Sequence, residues 1–205
     1  MKRLLALTIV LAVIIAVVPA ARRAVLQRVG AVLVVSDPDA PADVGVMTES
    51  GEGDEIGVSD LYQRHAFSRV LMLAPSPDSV DLELKTRGVH LEDRALSALR
   101  QLGVPSSAIT TIDAGEGGTN DSARALADWA RDHPSRVLVV ISPTHARRYR
   151  RTLLRVWPAG VTPPRVTWSP HALFRSDDWW QSRRTLREGL FELEKLAWDY
   201  VTHPF

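Results

Sequence analysis

The stretch Val137-Leu138-Val139-Val140-Ile141 decides the fold, because all of its residues are apolar and most are β-branched. A short run of this kind, without alternation, is typical of a strand that is buried on both faces of a parallel sheet. Weaker runs of the same character lie at 44–48, 70–74 and 109–112. Helical patterns separate these runs, and alternating strands and helices predict a three-layer, Rossmann-like α/β domain with a mainly parallel sheet.

The remaining elements extend this pattern in both directions. Helices are predicted at 58–65, at 91–102, from Thr119 or Asn120 to about Asp132, and from the 142–145 loop through Trp157. Gly103 then follows the second helix as a C-terminal cap. A last strand is predicted at 166–168, and a long C-terminal helix carries an apolar stripe of Leu186, Leu190, Leu193, Ala197 and Val201. A further short strand is predicted at 31–35, at an edge of the sheet or outside it.

Composition narrows the class of protein. The chain has 205 residues, of which 45% are hydrophobic and 24% charged, so it can bury the core of one ordinary domain. The absence of cysteine excludes disulfides, thiolate nucleophiles and zinc fingers. Net charge is +5 over residues 1–28, −10 over 29–130 and +6 over 131–205. This uneven distribution suggests an anionic ligand near the basic last third.

The first residues resemble a membrane anchor. Lys2 and Arg3 precede an uncharged run of 17 residues from Leu4 to Ala20, and Arg22 and Arg23 follow it. As one helix the run would span about 25 Å, at the short end of a bilayer crossing. We therefore predict a signal anchor over 1–23, a linker over 24–41 and an α/β domain over 42–205. The alternatives are a secretory signal peptide that is cut after Ala20 and a buried core helix. The basic residues on the two sides of the run are nearly balanced and do not fix its orientation.

Ligands of an open parallel sheet bind beyond the carboxyl ends of its strands, and three polar loops meet this condition. The first loop, 48–53, contains Glu49, Ser50 and Gly51. Its glycines permit close backbone approach, but its acidic residues would repel a phosphate, so a solvated turn explains it equally well. The second loop, 118–122, begins a helix at which Thr119 and Asn120 could bind an anion or simply cap the helix.

The third loop, 142–148, follows the most apolar strand and carries Ser142, Thr144, His145 and Arg148. Arg148 lies three residues after His145 and therefore shares its helix face. An imidazole can transfer protons near neutral pH, and a guanidinium can bind phosphate or carboxylate through two hydrogen bonds. The alternative is that His145 caps or packs the helix and that the surrounding arginines form a solvated face.

Several segments resemble the YdcF/SanA/ElyC-like proteins, a bacterial family with a Rossmann-like fold. The matching segments are Ala42–Met47, Leu61–Met72, Leu99–Pro105 with Ile109, Gly118–Ser122, Val140–Arg148, Trp179-Trp180 and Glu194-Lys195-Leu196. The Val140–Arg148 segment corresponds to the family's histidine-containing signature. Thr48-Glu49 stands where the family has a glycine pair, which argues against the S-adenosylmethionine binding associated with some relatives.

The resemblance implies a single-pass protein of the inner membrane whose domain faces the cell envelope. Residues 4–20 would anchor the chain in the membrane. The domain would bind a phosphate- or carboxylate-bearing ligand, either a small molecule or a lipid-linked one, in peptidoglycan or lipid-carrier metabolism. In an enzyme, His145 would act as general acid or base and Arg148 as the anion clamp, beside Ser142, Thr144, Thr119, Asn120 and the 49–51 segment. In a non-catalytic binding or scaffold protein the same residues would only bind. No metal, cofactor or nucleic acid is indicated.

Overall fold

The parallel sheet predicted from the apolar runs is confirmed. A computed structural model describes residues 18–38, 40–48, 53–89, 94–116 and 118–204. Five strands pair in the order β3-β2-β1-β4-β5, and every neighbouring pair is parallel. Their bounds are Val44–Met47 (β1), Arg69–Ala74 (β2), Ile109–Asp113 (β3), Val137–Val140 (β4) and Arg165–Thr167 (β5).

Seven α-helices accompany the sheet in the described part of the chain. They are Pro19–Leu33 (α1), Asp54–Gln63 (α2), Ser79–Thr86 (α3), Arg94–Gln101 (α4), Thr119–Asp132 (α5), Ala146–Val156 (α6) and Arg183–Thr202 (α7). The predicted helices at 58–65, 91–102 and 119–132 correspond to α2, α4 and α5 within the described residues. Helix α3 has no counterpart among the predicted helices; its signal is Asp78, whose carboxylate accepts hydrogen bonds from the Val80 and Asp81 amides.

The core is divided by the sheet into two halves. Val46 and Val139 point toward α5 and α6, where they pack with Leu126 and Leu153. Met47 and Val140, one residue further along, point to the opposite face and pack with Val58 of α2 and Leu99 of α4. Because successive side chains of a strand alternate between faces, strands covered on both sides must be apolar throughout.

Helices α1 and α7 form an additional layer that packs outside α6. Leu33 of α1, Leu196 of α7, Phe174 and Trp179 make up its buried cluster. The Trp179 indole Nε1 donates a hydrogen bond of 2.8 Å to the Leu26 carbonyl, which joins the two segments. This layer belongs to the folded domain, although residues 24–41 were predicted to be a linker.

The predicted strand at 31–35 is wrong. Residues 31–33 are the last turn of α1, and residues 34–38 join no strand. A valine-rich run fits a buried helix as well as a strand, and contact with Trp179 selects the helix here. A Cβ added at Gly30 would lie 2.6 Å from Trp179 Cδ1, so this position accepts only glycine at the observed spacing.

The predicted anchor lies mostly outside the described residues, which begin at Val18. Val18 has an extended backbone and Pro19 begins α1, so one continuous helix through residue 20 is not formed at this point. None of the helices within the described ranges is both long enough and apolar enough to cross a membrane.

The predicted apolar stripe of the C-terminal helix is only partly correct: Leu186 and Leu193 pack against the cluster around Trp179, but the other positions are exposed. Leu190 and Val201 are 52% and 74% exposed. The buried positions of α7 are instead Thr185, Gly189, Glu192, Leu196 and Asp199. Two acidic residues thus occupy the inner face of the helix, and their partners on α6 define the candidate site.

Candidate functional site

The candidate site lies beyond the carboxyl ends of β1 and β4, at the centre of the sheet. The chain runs from β1 outward through β2 to β3 and then returns to place β4 on the other side of β1. Such a reversal of strand order opens a crevice at the ends of the two central strands. The segment 142–145 leaves β4 at this point and leads directly into α6.

Ser142 and Thr144 begin the polar network of the site, and both are buried. The Thr144 hydroxyl donates a 2.8 Å hydrogen bond to Oε1 of Glu188, and the Ser142 hydroxyl lies 3.0 Å from Thr144 Oγ1. Since the Thr144 proton points to Glu188, Thr144 accepts from Ser142. The two predicted ligand-binding hydroxyls are therefore connected to α7 inside the protein.

Glu192 is the centre of a second, neighbouring set of polar contacts, and its side chain is only 2% exposed. Its Oε2 accepts hydrogen bonds from Arg148 Nη2 at 2.8 Å and Nε at 3.0 Å. Its Oε1 accepts from Lys195 Nζ at 2.7 Å and lies 3.2 Å from His145 Nε2. His145 and Arg148 thus share one helix face, as their spacing predicted, and that face meets a carboxylate.

The carboxylate of Glu192 is held in its charged form. Burial by itself would raise its pKa, but the hydrogen bonds from His145 and Lys195 and the charge of Arg148 lower the pKa to about 2. A buried carboxylate with several cationic partners stabilises the contact between α6 and α7 as long as it remains ionised.

Thr119 and Asn120 begin α5, but neither caps the helix. Gly118 occupies the N-cap position, and no side chain caps the helix there. Thr119 Oγ1 instead accepts a short hydrogen bond from Arg148 Nη1, while Asn120 is exposed beside it. The capping interpretation is therefore wrong, and Arg148 connects the start of α5 to Glu192 of α7.

The other arginines of α6 are not the solvated face considered above. Arg147 donates hydrogen bonds to the carbonyls of Val32 and Val34. Arg150 pairs with Asp37 at 2.9 Å, and Arg151 and Arg155 both bind Asp199. Burial would raise the pKa of Asp199, but its hydrogen bonds with Arg155 and Arg151 lower it overall. These arginines fix α1 and α7 against α6.

Only the two ends of the first polar loop, Thr48 and Gly53, are described. Glu49, Ser50 and Gly51 lie outside the described residues. The flanking Gly53 has φ +87°, and a Cβ there would lie 3.1 Å from the His171 carbonyl oxygen. The loop therefore ends against the segment that follows β5.

A groove of about 820 Å³ opens beside the network. Thr119 and Asn120 of α5 and Arg148 of α6 line one side. The opposite side is the outer part of α7, with Phe191, Lys195 and Trp198. Phe191 and Trp198 are 54% and 68% exposed, so the groove combines polar and basic groups with uncovered aromatic rings.

Sequence reasoning missed Glu188, Glu192 and Asp199. The available signal was the spacing of Glu192 and Asp199, which are seven residues apart and therefore share one face of a helix. That face also includes Gly189 and Leu196, which are unremarkable alone. The burial of Glu192 and Asp199 depends on arginines of α6 that are distant in sequence.

Across the described ranges, no group of three or more histidine and acidic side chains is arranged to hold a metal ion. The two sets of contacts comprise two carboxylates, an imidazole, two cations and three hydroxyls. A comparison with models of known protein families found none that matches the chain, and a comparison with curated proteins found no match.

Proposed function

We propose that this chain is a membrane-anchored, envelope-facing domain that binds an anionic ligand with a phosphate or carboxylate group, in cell-envelope metabolism. One observation carries the proposal: Thr119, Asn120 and Arg148, three predicted ligand-binding residues, line one groove with Lys195. Residues 4–20 would hold the domain at the inner membrane.

The groove also indicates which anions fit it. Its polar part contains the cations Lys195 and Arg148 together with the acidic Glu194 and Asp199, and the Arg148 side chain is only 15% exposed. Phe191, Trp198 and Val201 supply an apolar side that solvent reaches. An amphiphilic ligand, with an acidic head and a hydrocarbon part, would satisfy both sides at once. This chemistry agrees with the lipid-linked ligand that the family resemblance implies.

The first candidate is an enzyme that acts on this ligand, and the second is a protein that only binds it. The contacts of Glu192 favour the second. His145 and Arg148 both contact this carboxylate, so the residues suggested for catalysis also hold α6 and α7 together. In this case an anion in the groove would meet Lys195 first, whose side chain is 57% exposed.

Hexyl phosphate is a suitable probe, because it combines both chemical features and remains soluble. The full chain in phosphatidylcholine nanodiscs should bind hexyl phosphate more tightly than it binds hexanol or inorganic phosphate. Trp198→Ala and Lys195→Gln should each weaken binding about tenfold or more, since the first removes an aromatic ring from the groove and the second removes a positive charge. Leu190→Ala and Lys85→Gln are the matched controls and should leave binding unchanged.

Three results would distinguish the outcomes of this experiment. Equal binding by the groove variants and their controls would exclude the groove as the site. Release of inorganic phosphate from hexyl phosphate that stops in His145→Asn would favour the enzyme. Saturable binding without release would favour the non-catalytic protein.

A further inference from the structure

The starts of α1 and α7 carry an exposed group of arginines that the groove does not use. We call Arg22, Arg23, Arg183 and Arg187 the arginine surface; all four are exposed. Neither helix has an acidic residue in its first turn. The positive end of a helix dipole disfavours cations, so local helix energetics do not explain their placement.

Contacts between the two helices place the arginines at one end of the domain. Leu26 of α1 and Leu186 of α7 pack against the same cluster around Trp179. Arg22 and Arg23 precede Leu26 by about one turn, and Arg183 precedes Leu186 by about one turn. Arg22, Arg23 and Arg183 therefore lie just beyond the same contact, and Arg187 lies one turn after Arg183 on α7.

The two helices also run in the same direction from this contact. Further along α1, the Val32 carbonyl accepts a hydrogen bond from Arg147. Further along α7, Glu192 accepts hydrogen bonds from Arg148, the neighbour of Arg147. Because both helices reach the start of α6, their N-terminal ends lie together at the opposite end of the contact.

This end of the domain is also the end from which the apolar N-terminal run departs. Residues 18–25 precede Leu26, which packs against the cluster around Trp179, and all except Ala21 are exposed. The predicted anchor run ends at Ala20, two residues before Arg22. The arginine surface is therefore the part of the domain next to the proposed membrane anchor.

We propose that the arginine surface seats the domain on the anionic headgroups of the bilayer, an inference that rests on the proposed membrane anchoring. Basic side chains within a Debye length of an anionic membrane are attracted to it, and several together hold a folded domain against the surface. Guanidinium groups suit this role because they form paired hydrogen bonds with phosphate oxygens.

The experiment uses the full chain with a single cysteine, because the natural sequence has none. Gln181→Cys, an exposed position beside Arg183, is labelled with an environment-sensitive fluorophore. The protein is placed in nanodiscs of phosphatidylcholine alone or with phosphatidylglycerol. We expect a blue shift with phosphatidylglycerol only, and its loss at 0.5 M salt. A label at Ser107→Cys, before β3, should show no shift.

Charge variants test the residues directly. Arg183→Gln with Arg187→Gln should abolish most of the shift, and both positions are remote in sequence from the anchor. Arg94→Gln with Arg100→Gln removes the same charge from α4 and should retain the shift. Equal emission in the two lipids, or a shift that survives in the Arg183/Arg187 variant, would overturn the proposal.

Failure of the anchoring itself has a separate signature. A full chain that does not enter nanodiscs of either lipid would contradict the proposed anchor. Its flotation with phosphatidylglycerol vesicles at low salt would then support the arginine surface, and absence of flotation would overturn that surface too.

Discussion

Nε2 of His145 lies 3.2 Å from Oε1 of Glu192, and this contact joins the start of α6 to the middle of α7. The same carboxylate binds Arg148 and Lys195. His145 and Arg148, which sequence analysis assigned to catalysis and to anion binding, therefore share Glu192 as a partner. Any ligand that engages Arg148 must share the guanidinium with Glu192. The network therefore links occupancy of the groove to the packing of α7.

Replacing Glu192 should destabilise the fold. In Glu192→Gln the positive groups that surround the side chain lose the charge that compensates them, and we expect a loss of about 3 kcal/mol in the free energy of unfolding. Urea denaturation followed by circular dichroism measures this loss. Glu194→Gln, an exposed neighbour on α7, should change stability by less than about 0.5 kcal/mol. Similar values for the two variants would contradict the central role of Glu192.

Acid should weaken the same contact. The pKa of Glu192 is lowered from 4.5 to about 2, so the folded state holds the proton less tightly than the unfolded state. Its contribution is therefore complete above about pH 5 and is lost as the pH falls from about 4.5 toward 2. The pKa values of Asp43 and Asp199 are also lowered, so total stability falls over this range for several reasons. The difference in stability between the natural protein and Glu192→Gln isolates one carboxyl and should shrink as the pH decreases; a constant difference would argue against it.

A methyl group at position 30 should disrupt the contact between α1 and Trp179. Alanine at position 30 would place Cβ 2.6 Å from the indole, which forces a shift of the helix or the ring. We expect Gly30→Ala to cost about 1–3 kcal/mol, although alanine favours a helix more than glycine does. Thermal unfolding measures the effect, with Ala31→Ser on the exposed face of α1 as control. Stabilisation by Gly30→Ala would show that the helix does not pack closely on the ring.

Asp199 should contribute more to the stability of the fold than an exposed aspartate does. Arg151 and Arg155 both donate to it, and its side chain is only 10% exposed. Asp199→Asn keeps the shape but removes the charge, and we expect a loss of about 1–3 kcal/mol. Asp177→Asn removes an exposed partner of Arg175 and should cost less than about 1 kcal/mol. Chemical denaturation of both variants side by side provides the comparison, and a larger loss for Asp177→Asn would refute it.

The strands were predictable because two-sided burial leaves a local signature. Val137–Val140 is covered by helices on both faces, so every position must be apolar, and the sequence records this in one short run. Because the strands are parallel, the polar loops that follow them come to the same edge of the sheet. Sequence reasoning therefore predicted correctly that Thr119 and Arg148 lie together.

The inner face of α7 could not be predicted in this way. Its apolar residues form a regular stripe, yet Leu190 and Val201 are exposed while Glu192 is buried. Burying a carboxylate is favourable only where cations and donors meet it, and here Arg148 supplies two of the hydrogen bonds from another helix. No local pattern reports a partner that is distant in the sequence. The helical state of residues 31–33 depends in the same way on the distant Trp179.

The packing of α1 against α7 also sets an order of events during synthesis of the chain. Leu26 leaves the ribosome about 10–30 s before Leu196 at ordinary rates of elongation. During this interval the central strands can pair, whereas α1 has neither Trp179 nor α7 to cover its apolar side. Docking of α1 is therefore a late step of maturation. A chaperone or a membrane surface that occupies α1 before then would compete directly with completion of the fold.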